Sequence, residues 1–284
     1  RDRLRSRGLG DVYKRQVAVI GAGPAGMEAA VTLKQRGFDV VVFDKRDEIG
    51  GNLHVAKKPP FKGKFEWAID YYKSMAKKLN ITMKLGKEVT AQEVLALKPY
   101  SILVATGSNV ISIPLEGLDQ VQTVQAHDVL ANDMQFANKK VVVIGGGITG
   151  LETALYINRQ GTNQVSVVDM LPEWPVDMLD MRYQNEALLE VRHCNDQGVA
   201  LFYNNKVVKF ADGKLFIEST KDGEVKELPA DVIVLSVGVK PNDALWQELL
   251  ASGHPSVWKA GDAIATGKIN KAVLHGSKFG YSLN

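Results

Sequence analysis

The sequence predicts an α/β fold with two strand–helix–strand units and a small β-meander, and three observations carry this prediction. Short apolar strands alternate with helical stretches along the 284 residues. The glycine pattern G-x-G-x-x-G occurs twice, about 124 residues apart. Two Asp-Gly turns, ADGK and KDGE, separate strand candidates late in the chain, at 199–202, 205–210, 214–219 and 224–228. The length suits about two domains.

The first glycine pattern lies between an apolar strand, residues 17–20, and a helical stretch, residues 24–36. Its glycines permit a tight turn, close approach to a pyrophosphate and close helix–strand packing; in chain order they are Gly21, Gly23 and Gly26. A second strand, residues 38–43, ends in Asp44, whose carboxylate can accept hydrogen bonds from ribose hydroxyls. These features predict a Rossmann-like dinucleotide site, with the phosphates at the helix N-terminus.

The second copy repeats every feature of the first. Its strand covers residues 141–144, its helix residues 148–160, and its second strand, residues 165–168, ends in Asp169. The glycines of this copy are Gly145, Gly147 and Gly150. Two such units imply two dinucleotide sites, or one site and a structural relic.

The residues after Asp169 favour NADH over NADPH as the nicotinamide cofactor. NADP sites place a cation near this position to hold the 2′-phosphate. Here the next four residues are Met, Leu, Pro and Glu, and a carboxylate would repel a phosphate.

The rest of the chain fits a coarse alternation of helices and strands. The pattern predicts helices over residues 62–79, 126–138, 182–196 and 271–281. It predicts strands over residues 81–85, 101–105 and 230–236, and another short extended piece from Lys87.

The net charge gives no reason to expect a nucleic-acid partner. The whole chain carries +3, residues 1–16 carry +4, and the remainder therefore carries −1. This basic arm has no apolar periodicity, and its DVYKRQ stretch resembles a translated transposase adapter. We therefore expect the arm to be non-native and the sequence to be a gene fragment without its native N-terminus; the alternative is a genuine disordered basic tail.

The cysteine count and the hydropathy pattern argue against an internal thiol couple, a metal site and a membrane span. Cys194 is the single cysteine, so the chain has no internal thiol couple, and no Cys/His spacing suggests a metal site. We interpret Cys194 as a packed or partly exposed helix residue. No apolar run approaches the roughly 20 residues that span a bilayer, and no secretory signal is visible, so we expect a cytoplasmic protein without membrane contact.

Taken together, GAGPAG, the Gly50-Gly51 pair, ATG at 105–107, GGGITG and the Gly261-Asp262 pair resemble the two-dinucleotide-binding flavoprotein family. The resemblance implies that the first unit binds FAD and that an inserted second unit binds NAD(P)H. It also implies a return of the chain to the first sheet. The implied domains are residues 17–120 with 231–284 for FAD, and 121–230 for NAD.

The same resemblance implies roles for individual residues. Asp44 would hold the FAD adenosine ribose, Val89 would meet the adenine through its backbone, and Asp262 would bond the ribityl or pyrophosphate region. Asn52 and Leu53 would seat the flavin. The further expected FAD-site residues are Pro24, Ala25, Lys45, Gly51, Ala105, Thr106, Gly107 and Gly261, and the further NAD-site residues are Ile148, Thr149 and Gly238.

Three longer stretches, EIGGNLHVAKKPPFKGKFEWAIDYY, the region around GGGITG and SVGVKPN, resemble the C-terminal part of NADH:flavin oxidoreductases of the 2-enoate and 2,4-dienoyl-CoA reductase type. In those enzymes a barrel domain with FMN and an iron–sulfur cluster precedes the FAD/NAD module. The resemblance implies that electrons leave FAD for that cluster, whose domain would lie in the missing N-terminal part.

Hydride transfer from nicotinamide to flavin depends on proximity rather than on an acid or base, so we name no catalytic side chain. His54 and His275 are the histidines that we would test for flavin proximity. Two alternatives stay open: a standalone NADH-dependent flavoprotein reductase that serves a separate iron–sulfur protein or oxygen, and a non-catalytic dinucleotide-binding module.

Overall fold

A computed structural model describes residues 15–172 and 181–284 of the chain. Residues 1–14 of the predicted arm lie outside the described residues. The first strand begins at Gln16. No helix among the described residues is long and apolar enough to cross a bilayer.

The described residues form fifteen strands and nine α-helices. The strands are β1 Gln16–Ile20, β2 Asp39–Phe43, β3 Thr82–Lys84, β4 Ser101–Val104, β5 Ser108–Val110, β6 Gln122–Gln125, β7 Lys140–Ile144, β8 Gln164–Val168, β9 Ala200–Phe202, β10 Asn205–Ala211, β11 Lys214–Ser219, β12 Val225–Pro229, β13 Val232–Leu235, β14 Val239–Pro241 and β15 Val257–Lys259. The helices are α1 Pro24–Gln35, α2 Leu53–Ala56, α3 Phe65–Lys78, α4 Ala91–Ala96, α5 Ala126–Ala131, α6 Ile148–Asn158, α7 Met181–Asp196, α8 Ala244–Ala251 and α9 Ile269–Ser282.

Among the described residues, the first compact unit contains residues 15–57, Lys64–Asn109 and Val239–Asn284. Its sheet has the order β15-β4-β1-β2-β3, with every neighbouring pair parallel. Residues of β1 alternate between two cores: Val17 and Val19 pack with α1, α3 and α9, whereas Ala18 and Ile20 pack with α4 and α8. Both faces are therefore covered, which fits the mostly apolar composition of the inner strands β1, β2 and β4.

The second unit contains Lys58–Gly63 and the described part of the range 110–238, which omits residues 173–180. Its parallel sheet has the order β6-β13-β7-β8-β9. Helices α5, α6 and α7 cover one face, and the antiparallel sheet β10-β11-β12 covers the other through Phe210, Leu215 and Ile217. The meander thus takes the place of a helical layer.

These sheets confirm the predicted fold class of two Rossmann-like units, with the second inserted in the first. The tail returns to the first sheet, because β15 pairs with β4 in parallel. The unit borders differ from the predicted domain limits: they fall after Asn109 and Gly238. Strand β13, predicted to belong to the first domain, is an inner strand of the second sheet, between β6 and β7.

The structure differs from the predicted pattern in several details. The strand candidate at 199–202 joins the parallel sheet as β9 rather than the meander, which has three strands. The helix predicted from residue 62 begins at Phe65. No strand follows Lys87; instead Thr90 and Glu93 form a capping box that starts α4. The helix α8, an eight-residue segment with mostly apolar residues, was not predicted.

Candidate nucleotide-binding sites

The outer two glycines of the first motif are required by the fold itself. Gly21 has φ +110°, in the left-handed region, and a side chain there would collide with the carbonyl oxygen of Ala105. A side chain on Gly26 would collide with the carbonyl oxygen of Gly21. These two glycines allow β1, α1 and the end of β4 to meet closely.

The middle glycine of this motif, Gly23, has no such requirement. Its φ of −76° and ψ of −176° suit any residue. A Cβ there would meet only the Cα of Gly51, at an ordinary 3.9 Å. Gly23 is also the N-cap of α1 and has no side chain to bond the first helical N–H groups, although Ser or Asp would cap better. Open space before uncapped N–H groups fits a bound phosphate.

Asp44 lies at the end of β2 with its carboxylate fixed by two backbone amides. The N–H of Ala22 donates to Oδ2 at 2.6 Å, and the N–H of Arg46 donates to Oδ1 at 2.8 Å. The carboxylate is half-buried and keeps further acceptor positions, whereas Lys45 is exposed. This arrangement ties the acidic residue to the glycine turn.

The N–H of Gly50 donates to the carbonyl of Ala22 at 2.9 Å and so joins the Gly50-Gly51 turn to the first glycine turn, while two side chains bond the Gly50-Gly51 turn itself. Arg46 Nη1 donates to the carbonyl of Gly51 at 2.8 Å. His54 Nε2 lies 2.8 Å from the carbonyl oxygen of Ile49, and its Nδ1 lies 3.4 Å from Glu48 Oε1. His54 therefore braces this turn, and its proximity to flavin stays a prediction.

Gly51 itself needs to be glycine, because its φ is +54° and a Cβ would lie 2.8 Å from the Cα of Gly23. Of the next two predicted residues, Asn52 is exposed and Leu53 is buried in the core of the first unit. Val89 is buried in the core on the other face of the same sheet. These positions give Leu53 and Val89 clear packing roles in addition to the predicted ones.

The returning chain binds the loop after β4. Thr106 Oγ1 donates to the carbonyl of Asn242 at 2.5 Å, and the N–H of Asn242 donates to the carbonyl of Gly107 at 3.0 Å. Ala105 is buried beside Gly21. Asn242 was not predicted, because its partners lie about 135 residues away in the sequence.

Asp262 follows β15, and Gly261 packs closely on Ala25 of α1. The N–H of Gly267 donates to Asp262 Oδ1 at 3.1 Å, and the Ser108 hydroxyl donates to Oδ2 at 3.4 Å. Burial raises the pKa of Asp262, and the two hydrogen bonds and the charge of His275 oppose that rise. Because β1, β2, β4 and β15 are parallel, the predicted residues after them share one sheet edge.

In the second glycine turn, too, the fold requires the outer two glycines and not the middle one. Gly145 has φ +110°, and a side chain would collide with the carbonyl oxygen of Ser236; a side chain on Gly150 would collide with that of Gly145. Gly147 has φ −66° and ψ 171°, and a Cβ there would meet nothing within 4 Å. It caps α6 without a side chain, next to Ile148 and the exposed Thr149. This turn therefore also fits a phosphate.

Asp169 mirrors Asp44 at the end of β8. The N–H of Gly146 donates to Oδ2 at 2.6 Å, and the N–H of Leu171 donates to Oδ1 at 2.8 Å. Gly238, predicted for the same site, follows β13, has φ +101° and is exposed. Glu173, which completes the acidic stretch after Asp169, lies outside the described residues.

A charged cluster of the second unit was not predicted. Lys62 Nζ lies 2.6 Å from Glu186 Oε1, 3.0 Å from Glu152 Oε1 and 4.0 Å from Glu190 Oε1. Burial alone would lower the pKa of Lys62, but the carboxylates outweigh it and raise the pKa. No local sequence signal indicates this cluster, since Lys62 and its partners are about 90 to 130 residues apart.

Cys194 is fully buried on α7, which decides for the packed one of the two expected environments, packed or partly exposed. Burial raises the pKa of its thiol to about 12, so a reactive thiolate does not form near neutral pH. Among the residues that the structure describes, no group of three or more His, Cys, Asp or Glu side chains could hold a metal ion.

Comparison with known proteins identifies the family. The sequence pattern of the pyridine nucleotide-disulphide oxidoreductases matches residues 15–274. The chain belongs to this family of FAD- and pyridine-nucleotide-binding oxidoreductases. The described chain has the family's two nucleotide-binding units, while its single cysteine cannot supply the redox disulphide of the family name.

Individual relatives carry different names. The chain is 32% identical to an NADH oxidase of Thermoanaerobacter brockii over 95% of this chain and 41% of the relative. It is 35% identical to a bilirubin reductase of Mediterraneibacter gnavus over 81% of this chain and 34% of the relative. A solved 2-naphthoyl-CoA reductase superposes with a TM-score of 0.86 at 30% identity, covering 95% of this chain and 40% of that protein. The chain therefore spans about two fifths or less of these three proteins.

Proposed function

We propose that this chain is an FAD-dependent electron-input module that takes hydride from NADH and passes the electrons to another redox centre. One observation carries the proposal: each unit has a glycine, Gly23 or Gly147, that neither the backbone nor any neighbour requires. Glycine at such a position is explained by a ligand that approaches the backbone. A non-catalytic dinucleotide-binding module would explain one such turn as well, but two turns of one design favour transfer between two nucleotides.

The residues of the first unit would hold FAD. The uncapped N-terminus of α1 would face the pyrophosphate, Asp44 would accept bonds from the ribose, and Asp262 would bond the ribityl chain or pyrophosphate. FAD would supply the redox chemistry by accepting a hydride from the nicotinamide and releasing electrons singly or in pairs. The task of the protein side chains is positioning, so no catalytic acid or base is assigned.

The second unit would hold NADH rather than NADPH. Asp169 is fixed as an acceptor by two amides, and Met170, Leu171 and Pro172 after it carry no positive charge. A 2′-phosphate near this carboxylate would be repelled. Gly147 and the N-terminus of α6 would receive the pyrophosphate.

The electron acceptor in this proposal is an FMN/iron–sulfur barrel domain that belongs to the same full-length protein, and the reaction is reduction of an enoate or dienoyl substrate in the cytoplasm. The single buried cysteine supports an exit other than a thiol couple. The length of the relatives, of which the chain spans about two fifths or less, supports a further domain.

A second candidate is a standalone NADH-dependent reductase that serves a separate iron–sulfur protein or oxygen. It is favoured by the presence of both nucleotide turns within this one chain. An FMN barrel encoded upstream in the same reading frame would decide for the first candidate.

An anaerobic titration tests the proposal. The purified chain is reconstituted with FAD, and its absorbance near 450 nm is followed during additions of NADH or NADPH. We expect one FAD per chain and bleaching by NADH that is faster than bleaching by NADPH. Failure to bind FAD, or to be bleached by either nucleotide, would contradict the proposal, and faster bleaching by NADPH would overturn the cofactor preference.

A further inference from the structure

Lys259, the last residue of β15, contacts the beginning of helix α8 in the first unit. Its Nζ lies 3.1 Å from Asp243 Oδ2 and 4.0 Å from the centre of the Trp246 ring. Asp243 directly precedes α8, and Trp246 lies in the first turn of that helix. One ammonium group therefore joins the end of a strand to the beginning of a helix, and we call these three residues the Lys259 clamp.

The carboxylate of Asp243 bonds the lysine and not the helix. Asp243 occupies the N-cap position of α8, where an aspartate usually accepts a hydrogen bond from a helix N–H. Its side chain makes no such capping bond, and the hydrogen bond from Lys259 lowers the pKa of its carboxyl group, so the carboxylate stays charged near neutral pH. The lysine side chain is 20% exposed and the aspartate side chain 33%. This partial burial makes the ion pair stronger than a pair of fully exposed groups.

Both sides of the clamp continue into the loops of the proposed FAD site. Asn242, directly before the aspartate, donates its N–H to the carbonyl of Gly107 at 3.0 Å and accepts a hydrogen bond from Thr106 Oγ1 at 2.5 Å. On the other side, Lys259 lies three residues before Asp262. The clamp therefore joins the segment that holds the loop after β4 to the segment that carries the late acidic residue.

Residues 106–108 of that loop receive little support from packing. The two-stranded ribbon that follows, β5 with β14, is mostly exposed. Among the described residues, a Cβ on Gly107 would meet nothing within 4 Å. The Ser108 hydroxyl reaches Asp262 Oδ2 at 3.4 Å, which is long for a hydrogen bond. The position of the loop therefore depends largely on its two hydrogen bonds with Asn242.

We infer that Lys259 is a positioning residue of the flavin site: through Asp243 it holds Asn242 against Thr106 and Gly107, so that the loop is in place before FAD binds. This inference rests on the proposed function. A loop that is already ordered loses less conformational freedom on binding, and the affinity for the ligand is higher for that reason. Lys259 acts through its neighbours and takes no part in hydride transfer.

The test removes the charge of the clamp and keeps the apolar stem of its lysine. In Lys259→Met we expect FAD to bind about tenfold more weakly, because a hydrogen bond between charged groups contributes on that order. The visible circular dichroism of the bound flavin should also change. In the protein without FAD, the N–H of Asn242 should exchange with deuterium about tenfold faster, while the amides of the core strand β1 keep their wild-type rates.

Two further changes test the pair itself. Asp243→Asn should have the same effects as Lys259→Met, and the double variant should lose no more than either single variant, because the two residues act as one unit. Lys259→Arg keeps the charge and the contact with the Trp246 ring, so its FAD affinity should stay within about threefold of wild type.

Lys278→Met on α9 is the matched control, because this lysine is exposed and its loss changes the net charge equally. It should leave FAD affinity, dichroism and exchange unchanged. Wild-type FAD affinity and dichroism in Lys259→Met would overturn the inference, as would an equal loss in Lys278→Met, which would show an effect of net charge. Faster exchange in β1 as well would also overturn it, by showing a general loss of stability. Absence of FAD binding in the wild type would instead overturn the proposed function, and exchange at Asn242 would still test the clamp.

Discussion

The two glycine turns have nearly the same backbone although they lie in different units. Gly21 and Gly145 both have φ +110°, and the amides of Ala22 and Gly146 both donate to the following acidic residue at 2.6 Å. In each turn the outer glycines prevent collisions with backbone carbonyls, and the middle glycine faces open space. The motif thus contains two glycines that the fold requires and one that it does not, and we propose that a ligand accounts for this third glycine.

The support behind the turns differs between the units. In the first unit α9 packs on α1 through small residues: a Cβ on Gly276 would collide with the carbonyl of Ala25. In the second unit α6 and α7 carry Glu152, Glu186 and Glu190, and Lys62 lies among them. The turn geometry therefore follows from the motif alone, whereas each unit stabilises its helix by its own means.

The largest expected effect comes from filling the open cradle of the second unit. Gly147→Ser should weaken NADH binding about 100-fold, or roughly 2.7 kcal/mol, because the side chain occupies the approach of the pyrophosphate and bonds the helix amides itself. Serine suits the backbone and is a good N-cap, so the unfolding free energy should not fall. Stopped-flow flavin reduction at increasing NADH concentration measures the effect. Wild-type NADH affinity would contradict the ligand role of this glycine.

The next effect concerns the helix contact of the first unit. Gly276→Ala should lower the unfolding free energy by roughly 2–3 kcal/mol, because the added methyl group overlaps the carbonyl of Ala25 in a packed helix pair. Urea unfolding measures it, with Ser277→Ala on the same helix as the matched control, expected within about 0.5 kcal/mol of wild type. A variant as stable as wild type would show that α9 can move away from α1 without cost.

Removal of the Lys62 charge should lower the unfolding free energy slightly less than Gly276→Ala does. Lys62→Met should cost about 2 kcal/mol at pH 7, below the value for fully buried pairs because the cluster is partly exposed. The raised pKa of Lys62 keeps its stabilising charge present below its ordinary value of 10.5, and this contribution is lost only as the pH rises through the folded-state pKa.

Acid should narrow the gap between Lys62→Met and wild type. Burial raises the pKa of Glu152, so this group takes up a proton early as the pH falls, and the repulsion among the carboxylates decreases. The measurement is chemical unfolding at pH 7 and near pH 5, with the exposed neighbour Lys64→Met as control. A gap that widens on acidification would contradict the assignment of the cost to carboxylate repulsion.

The smallest predicted effect is a change in nucleotide preference that Asp169→Asn should cause and Asp44→Asn should not. Asp169→Asn should reduce the preference for NADH over NADPH about tenfold, roughly 1.4 kcal/mol, because the repulsion of a 2′-phosphate is removed. Asp44→Asn should weaken FAD retention and leave that preference unchanged. The ratio of flavin reduction rates with the two nucleotides measures the effect, and an unchanged ratio in Asp169→Asn would place discrimination elsewhere.

The sequence could predict the turns because all their determinants are local. The spacing of the glycines, the preceding apolar strand and the acid at the end of the next strand lie within about 30 residues. The structure places all these parts together at the carboxyl edge of each sheet. The presence of bound nucleotides there stays a prediction.

The features that were missed depend on long-range pairing or on short signals. Strand β13 is an apolar run that would suit either parallel sheet, and only its pairing with β6 and β7 assigns it to the second. The Lys62 cluster and the contact of Asn242 with Thr106 join distant segments. Helix α4 did have a local signal, the Thr90–Glu93 capping box, which a search for short helices would find.

Crossed binding calorimetry tests the central claim most directly. FAD and ADP-ribose are each titrated into wild type, Gly23→Ser and Gly147→Ser. The account predicts that wild type binds one of each, that Gly23→Ser loses FAD and keeps ADP-ribose, and that Gly147→Ser does the reverse. Loss of both ligands in either variant, or of neither, would contradict two separate nucleotide sites that each depend on one glycine.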